Sequence, residues 1–388
     1  EVMMFKHFRP LMAEWQPRAA TIVVAGVLAF LVACSSKPDR PQPADLGPNV
    51  PALGVRQSWS ISLGGPVDFP LQVTLSDSGL FAASSTGQVV SLDPDTGREL
   101  WRAQVGAPIS AGVGAQGDAA AVVTKANEVV LIRAGEVRWR HRLSTSSRTA
   151  PLVAGGRVFV LGADRSVVAL DGASGRRLWQ QGRPGEPLVL QQAGVILAVG
   201  DTLVVGSSGR LLGMNPLNGT LRWDAPVATP RGTNDVERLV DLVGRVSRVE
   251  DDLCVRAFQV AVGCVDAARG AVRWTRPAVG ADGLHGDARA VFGTELDGRV
   301  TAWRRDNGEP LWRVDRLRWR QLTAPLLIGR SVAIGDSTGL VHLISRDDGA
   351  PMNRLSTDGS GIAGAPMQAG NTLIVATKAG RLFGFRPE

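Results

Sequence analysis

Arg157-Val-Phe-Val-Leu-Gly-Ala-Asp-Arg-Ser-Val-Val-Ala-Leu-Asp-Gly-Ala-Ser-Gly-Arg-Arg-Leu-Trp179 is the stretch that decides the fold. Two apolar runs, at 157–161 and 167–170, flank the polar turn 163–166; they are too short for helices and rich in β-branched residues, so each reads as a strand. Asp171 and Gly175 then form a second turn, in which Asp folds back on its own backbone and Gly takes the left-handed conformation. Trp179 lies on the strand that follows, and Pro151 opens the unit with another. The unit is therefore four strands.

Trp carries the register outward from this unit: Trp59, Trp101, Trp139, Trp179, Trp223, Trp274 and Trp312 recur at a period of about 42 residues, and the frame continues to Asn353. A glycine stands four residues before each anchor from Trp101 onward, at 97, 135, 175, 219, 270, 308 and 349. Asp93, Asp171, Asn215 and Asp266 precede four of them in the same way, and Ala-Pro pairs at 150–151, 324–325 and 365–366 begin first strands. A four-stranded sheet cannot bury its faces alone, so such units stack as propeller blades. Trp59 belongs to a last strand with no strands before it, whereas residues 365–385 supply three strands lacking a last one. Joined, they complete an all-β, eight-bladed propeller of four-stranded antiparallel blades over residues 55–388, with Trp59 pairing near residues 381–385. An open solenoid is the alternative, and it leaves both half-blades with bare edges.

Upstream, Lys6, Arg9 and Arg18 precede the uncharged run 19–33, which closes on Leu31-Val32-Ala33-Cys34. Residues 1–33 read as a secretory signal peptide. The small residues before Cys34 resemble the bacterial lipobox, in which the thiol is acylated and the signal removed. A transmembrane anchor is the other reading of 19–36, at the short end of spanning length. Ser35, rather than Asp, follows the cysteine, which by resemblance implies sorting to the outer membrane, on its periplasmic side. Residues 34–54, with Pro38, Pro41, Pro43, Pro48 and Pro51, read as the lipidated Cys and a Pro-rich tether of about 20 residues, able to reach roughly 60 Å.

Of 388 residues, 43 are basic and 36 acidic, for a formal charge of +7. The arginines are scattered rather than blocked, as a coding bias would leave them, and no basic arm or Tyr platform points to nucleic acid. His141, His285 and His342 fall in different repeats, and His7 lies within the signal. Neither metal spacing nor a catalytic constellation emerges, and no cofactor is assigned. Gly112-Val-Gly114-Ala-Gln-Gly117 matches a dinucleotide fingerprint, but residues 118–124 read as strand where that fold needs a helix. Cys254 and Cys264 are equidistant from a turn at 259, so they are candidates for a cross-strand disulfide in an oxidising compartment; two buried free thiols are the alternative.

The pattern Asp-x-x-Ser/Thr/Asn-Gly-x-x-x-Trp resembles the quinoprotein-type propeller repeat rather than the WD40 repeat, since Trp223-Asp224 is the one Trp-Asp pair. With the lipobox and the tether, it resembles the BamB family, lipoprotein subunits of the outer-membrane β-barrel assembly machinery. That resemblance implies a non-catalytic scaffold. It would bind POTRA domains of the barrel-forming subunit, assist insertion of nascent outer-membrane proteins, and be held to outer-membrane lipid by its acyl chains. The family's docking segments are Leu-x-Leu-Arg before the fourth blade and Arg-Leu-x-Asp-x-Asp before the fifth. Here they are Leu188-Val-Leu190-Gln191 and Arg238-Leu-Val-Asp241-Leu-Val243, so Gln191 replaces Arg and Val243 replaces the second Asp. Leu188, Leu190, Gln191, Arg238 and Asp241 are the partner-binding candidates the resemblance implies; Leu188 and Leu190 also read as core residues of a first strand. A ligand-binding periplasmic propeller and a quinone-dependent dehydrogenase remain as other functions. Against the second, quinoprotein dehydrogenases share a vicinal cysteine pair and Ca²⁺ ligands, and this sequence has no adjacent cysteines.

Overall fold

The computed structural model describes residues 41–182, 190–230 and 239–388. The signal segment, Cys34, Leu188 and Arg238 lie outside the described residues. What is described is all-β, arranged as eight four-stranded antiparallel sheets. The unit at 151–181 folds as Leu152–Ala154, Arg157–Leu161, Val167–Asp171 and Arg177–Gln181, paired in that order. Counted from the N-terminal end, it is the third blade.

Closure follows the count of half-blades. Val55–Ser62 pairs antiparallel with Arg381–Pro387, with Trp59 opposite Gly384, and completes the sheet begun by Met367–Ala369 and Thr372–Ala376. Closing the ring this way removes two open edges and joins the first strand of the propeller to its last. The dinucleotide-like glycines sit in the hairpin from Ile109–Gln116 to Ala119–Thr124, so no helix follows them.

Each Trp anchor locks its blade to the next one. All seven anchor-linked glycines have positive φ, from 66° to 82°. A Cβ built on Gly175 would lie 2.6 Å from Trp139 of the preceding blade, and one on Gly97 2.6 Å from Trp59. The glycines thus serve two ends, the left-handed turn and the approach of an indole. Several indole N–H groups also satisfy carbonyls in the same turns: Trp139 donates to Gly172 O at 3.0 Å, Trp179 to Pro216 O at 3.0 Å, Trp274 to Arg305 O at 2.7 Å and Trp312 to Arg346 O at 3.0 Å.

Asn353 explains itself in this scheme. The eighth blade takes its outer strand from the far end of the chain, so no third-to-fourth hairpin turn exists there to receive an indole. Asn353 Nδ2 instead donates to Leu53 O at 2.7 Å, and its Oδ1 accepts from Asn49 Nδ2 at 3.0 Å. Residues 44–53 are consequently bound along the propeller rather than free, and the 60 Å reach inferred for the whole Pro-rich segment does not hold. Leu46 and Leu53 supply the apolar contacts that composition alone conceals among the prolines.

Candidate functional site

Two inter-blade segments meet between the third, fourth and fifth blades. One runs from Arg177–Gln181 to Ile196–Val199, the other from Leu221–Pro226 to Leu242–Val249. Leu190 is half-buried and Gln191 exposed, and both precede the first strand of the fourth blade rather than lying in it. The core-strand reading therefore fails for Leu190. Asp241 stands immediately before the first strand of the fifth blade.

Asp241 joins the two segments. Its Oδ2 accepts the Leu190 N–H at 3.4 Å, and its Oδ1 lies 3.3 Å from Arg165 Nη2. Its own carbonyl accepts Phe258 N–H at 3.0 Å. A second backbone tie, Gly244 N–H to Ala193 O at 3.0 Å, lies a few residues on. Only 8% of the Arg165 side chain and 16% of the Asp241 side chain are exposed, so this ion pair is shielded and screened less than a surface pair. Asp241 therefore works as an internal latch that fixes where Leu190 sits, not as a free rim charge. A small cavity of about 60 Å³ opens beside it, walled by Leu161, Arg165, Leu190, Asp241, Leu242 and Val243. Arg165 is the residue sequence reasoning missed as a site member. It occupies an ordinary polar hairpin turn, with φ of 63°, and its pairing with Asp241, 76 residues away, brings it into the site.

The ring axis offers a second concavity, a channel of about 570 Å³ lined by first strands of several blades. Arg245 crosses it, donating from Nη1 to Pro366 O at 2.7 Å. Removal from bulk water lowers its guanidinium to about 10 and raises the Asp282 carboxyl to about 6, the latter in spite of Arg256 nearby. His285, whose Nδ1 accepts Leu327 N–H at 2.9 Å, is lowered to about 3 by burial and by Arg245 and Arg305. His342 is buried in another blade against Asp336, at 2.9 Å, and His141 lies in a third. The three histidines are not brought together.

Cys254 and Cys264 face each other in register on neighbouring strands, their Cα atoms 4.0 Å apart and their sulfurs bonded. Among the described residues the one His/Cys/Asp/Glu cluster tight enough to share an ion is Asp252 with these two cysteines. Sulfurs already bonded to each other are not thiolate ligands, and Ca²⁺ takes a cage of oxygens, so this set does not fit a quinoprotein centre.

The family model described as outer membrane protein assembly factor BamB matches residues 85–314. A protein of Burkholderia pseudomallei with that same description is 35% identical, over 95% of this chain and 98% of its own length. The crystal structure of BamB from Moraxella catarrhalis superposes with a TM-score of 0.78 at 26% identity, covering 86% of this chain and 99% of that one. A quinohemoprotein alcohol dehydrogenase from Comamonas testosteroni is similar at a TM-score of 0.64, over 86% of this chain and 76% of its own, but at 13% identity it shares the fold alone.

Proposed function

The chain belongs to the BamB family of outer membrane protein assembly factors, and from that premise we propose that it is a non-catalytic scaffold of the outer-membrane β-barrel assembly machinery that docks on a POTRA domain of the barrel-forming subunit. The observation that carries the docking reading is the latch: Asp241 ties the segment bearing Leu190 to the segment before the fifth blade, so two stretches far apart in sequence present one surface. A leucine held at its backbone by a largely shielded carboxylate is a pre-organised anchor, and pre-organisation lowers the ordering cost of association. Leu188 and Arg238, in the same two segments, complete the proposed contact, with Gln191 at its exposed rim.

Acylation of Cys34 would place the body on the periplasmic side of the outer membrane, several acyl chains giving the stable hold that one cannot. The scaffold reading over an oxidoreductase rests on the absence of adjacent cysteines and on the Asp252 cluster's misfit to Ca²⁺. Pull-down of the chain from detergent-solubilised outer membranes is the test. Recovery of the barrel subunit with wild type, and its loss with Leu190→Ala, is the expected outcome; a quinone-dependent turnover by the purified chain would overturn it.

A further inference from the structure

The chain enters the ring through a strap fixed along its whole length. Near the seam, Ala52 N–H donates to Met352 O at 2.7 Å, beside the Asn353 contacts with Leu53 and Asn49. Midway, Arg354 Nη2 donates to Gly47 O at 2.8 Å. At the far end, Ala44 N–H donates to Arg318 O at 2.9 Å, and Arg320 Nη2 donates to Ala44 O at 2.7 Å. Arg320 is itself fixed by Asp336 at 3.2 Å. The strap thus borders the outer strand Pro351–Ser356 and leaves the propeller between the sixth and seventh blades, on the face that carries the inter-blade segments.

An apolar patch lies beside that exit. Val279, Leu296 and Trp319 are 53%, 44% and 40% exposed. They adjoin one another, since Leu296 N–H donates to Val279 O at 2.9 Å and Trp319 N–H to Asp297 O at 2.9 Å. Trp319 stands at φ of 61°, a conformation a bulky side chain resists, and still points an exposed indole outward with the Arg318 guanidinium 5.5 Å from its ring centre. The acidic charge here is offset, because Asp297 pairs with Arg299 at 2.8 Å and Arg318 at 3.5 Å. Arg316 beside it is exposed, as is Asp315.

We infer that this patch rests on a phospholipid bilayer, with the strap delivering it there. Acylation of Cys34, as in the proposed function, holds the other end of the strap. From Ala44 back to Cys34 there are about ten residues, among them Pro38, Pro41 and Pro43, which at ~3.1 Å each span roughly 30 Å. A chain anchored at one end of so short a leash and clamped by Arg318 and Arg320 at the other keeps the exit, with Trp319 next to it, as the part of the propeller nearest the headgroups. Tryptophan beside aliphatic and Arg side chains suits that boundary, where the indole body meets acyl chain and its N–H meets water.

The test places an environment-sensitive nitrobenzoxadiazole label on Leu296→Cys, with Leu217→Cys, an exposed turn on the opposite face, as reference. The acylated mature chain is reconstituted on vesicles of phosphatidylethanolamine and phosphatidylglycerol. Severalfold brightening at 296 and little at 217 is expected, with the rise reduced by Trp319→Ser. Equal behaviour at the two positions overturns the inference, as does brightening at 296 only when POTRA domains are added, which would make the patch a protein contact. If the chain fails to float with vesicles, acylation is what failed. An N-terminal His tag on nickel-chelating vesicles then replaces the anchor: brightening at 296 alone still supports bilayer contact, and none overturns it.

Discussion

Gly175→Ala measures what the Trp-to-glycine lock contributes, because the fold contains its own control. Gly175 and Gly156 sit in turns of the same blade with nearly the same φ, 73° and 71°. An alanine at either position pays for a left-handed backbone, roughly 1–2 kcal/mol. At Gly156 nothing lies within 4 Å of the added methyl, so the cost should stop there. At Gly175 the methyl would lie 2.6 Å from Trp139 Cδ2 and Cε3, where carbon atoms prefer about 3.5–4.0 Å. Either the turn or the indole must retreat by about 1 Å. That retreat strains the 3.0 Å bond from Trp139 to Gly172 O, worth about 1 kcal/mol, and adds overpacking of about 1–3 kcal/mol around an indole that is 9% exposed. Gly175→Ala should therefore destabilise by about 2–4 kcal/mol more than Gly156→Ala, a clear separation of thermal midpoints by calorimetry. Equal shifts for the two variants would refute the lock and leave the glycine pattern to turn geometry alone.

Three further outcomes follow from particular groups. Between about pH 4 and 6 Asp282, whose pKa is raised to about 6, holds a proton in the folded chain that the unfolded chain has released, so its contribution is full below about pH 4 and lost as pH rises through 6. Asp282→Asn should match wild type near pH 4 and melt higher at pH 7, by about 1–2 kcal/mol after allowing for channel water; a constant difference across that range would contradict the assignment. His285, lowered to about 3, acts oppositely, and its contribution is lost as pH falls from 6.5 toward 3; His285→Gln should flatten acid unfolding in that window. Reduction of the Cys254–Cys264 bond should soften rather than unfold the ring, by about 2–3 kcal/mol, and non-reducing mass spectrometry of the exported chain should find the two cysteines joined.

The repeat was legible because each blade restates it: turn glycine, outer-strand Trp and alternating strands are local, and seven copies fix the frame that Asn353 continues. What the Trp touches was not legible, since the contact runs to the next blade's turn. Asn353 stands where the repeat otherwise has Trp; in three dimensions it is the group suited to a seam with no turn. Leu190 and Asp241 could be nominated from family motifs, but their joining through a backbone N–H and Arg165 could not, because nothing in a polar hairpin marks one arginine for a partner 76 residues away. The strap misled for a simple reason: five prolines look like a free linker, and only its clamps, Arg318, Arg320, Asn353 and Arg354, show otherwise.

The most direct test of the scaffold reading is a calorimetric titration of purified POTRA domains into the mature chain and into its Leu190→Ala variant, with thermal melts run alongside. A buried apolar anchor at the centre of a small interface commonly contributes about 2 kcal/mol or more, so the variant should bind roughly thirtyfold more weakly while melting like wild type. Undiminished affinity in a variant that melts like wild type would contradict the proposed docking surface and place the partner elsewhere on the ring.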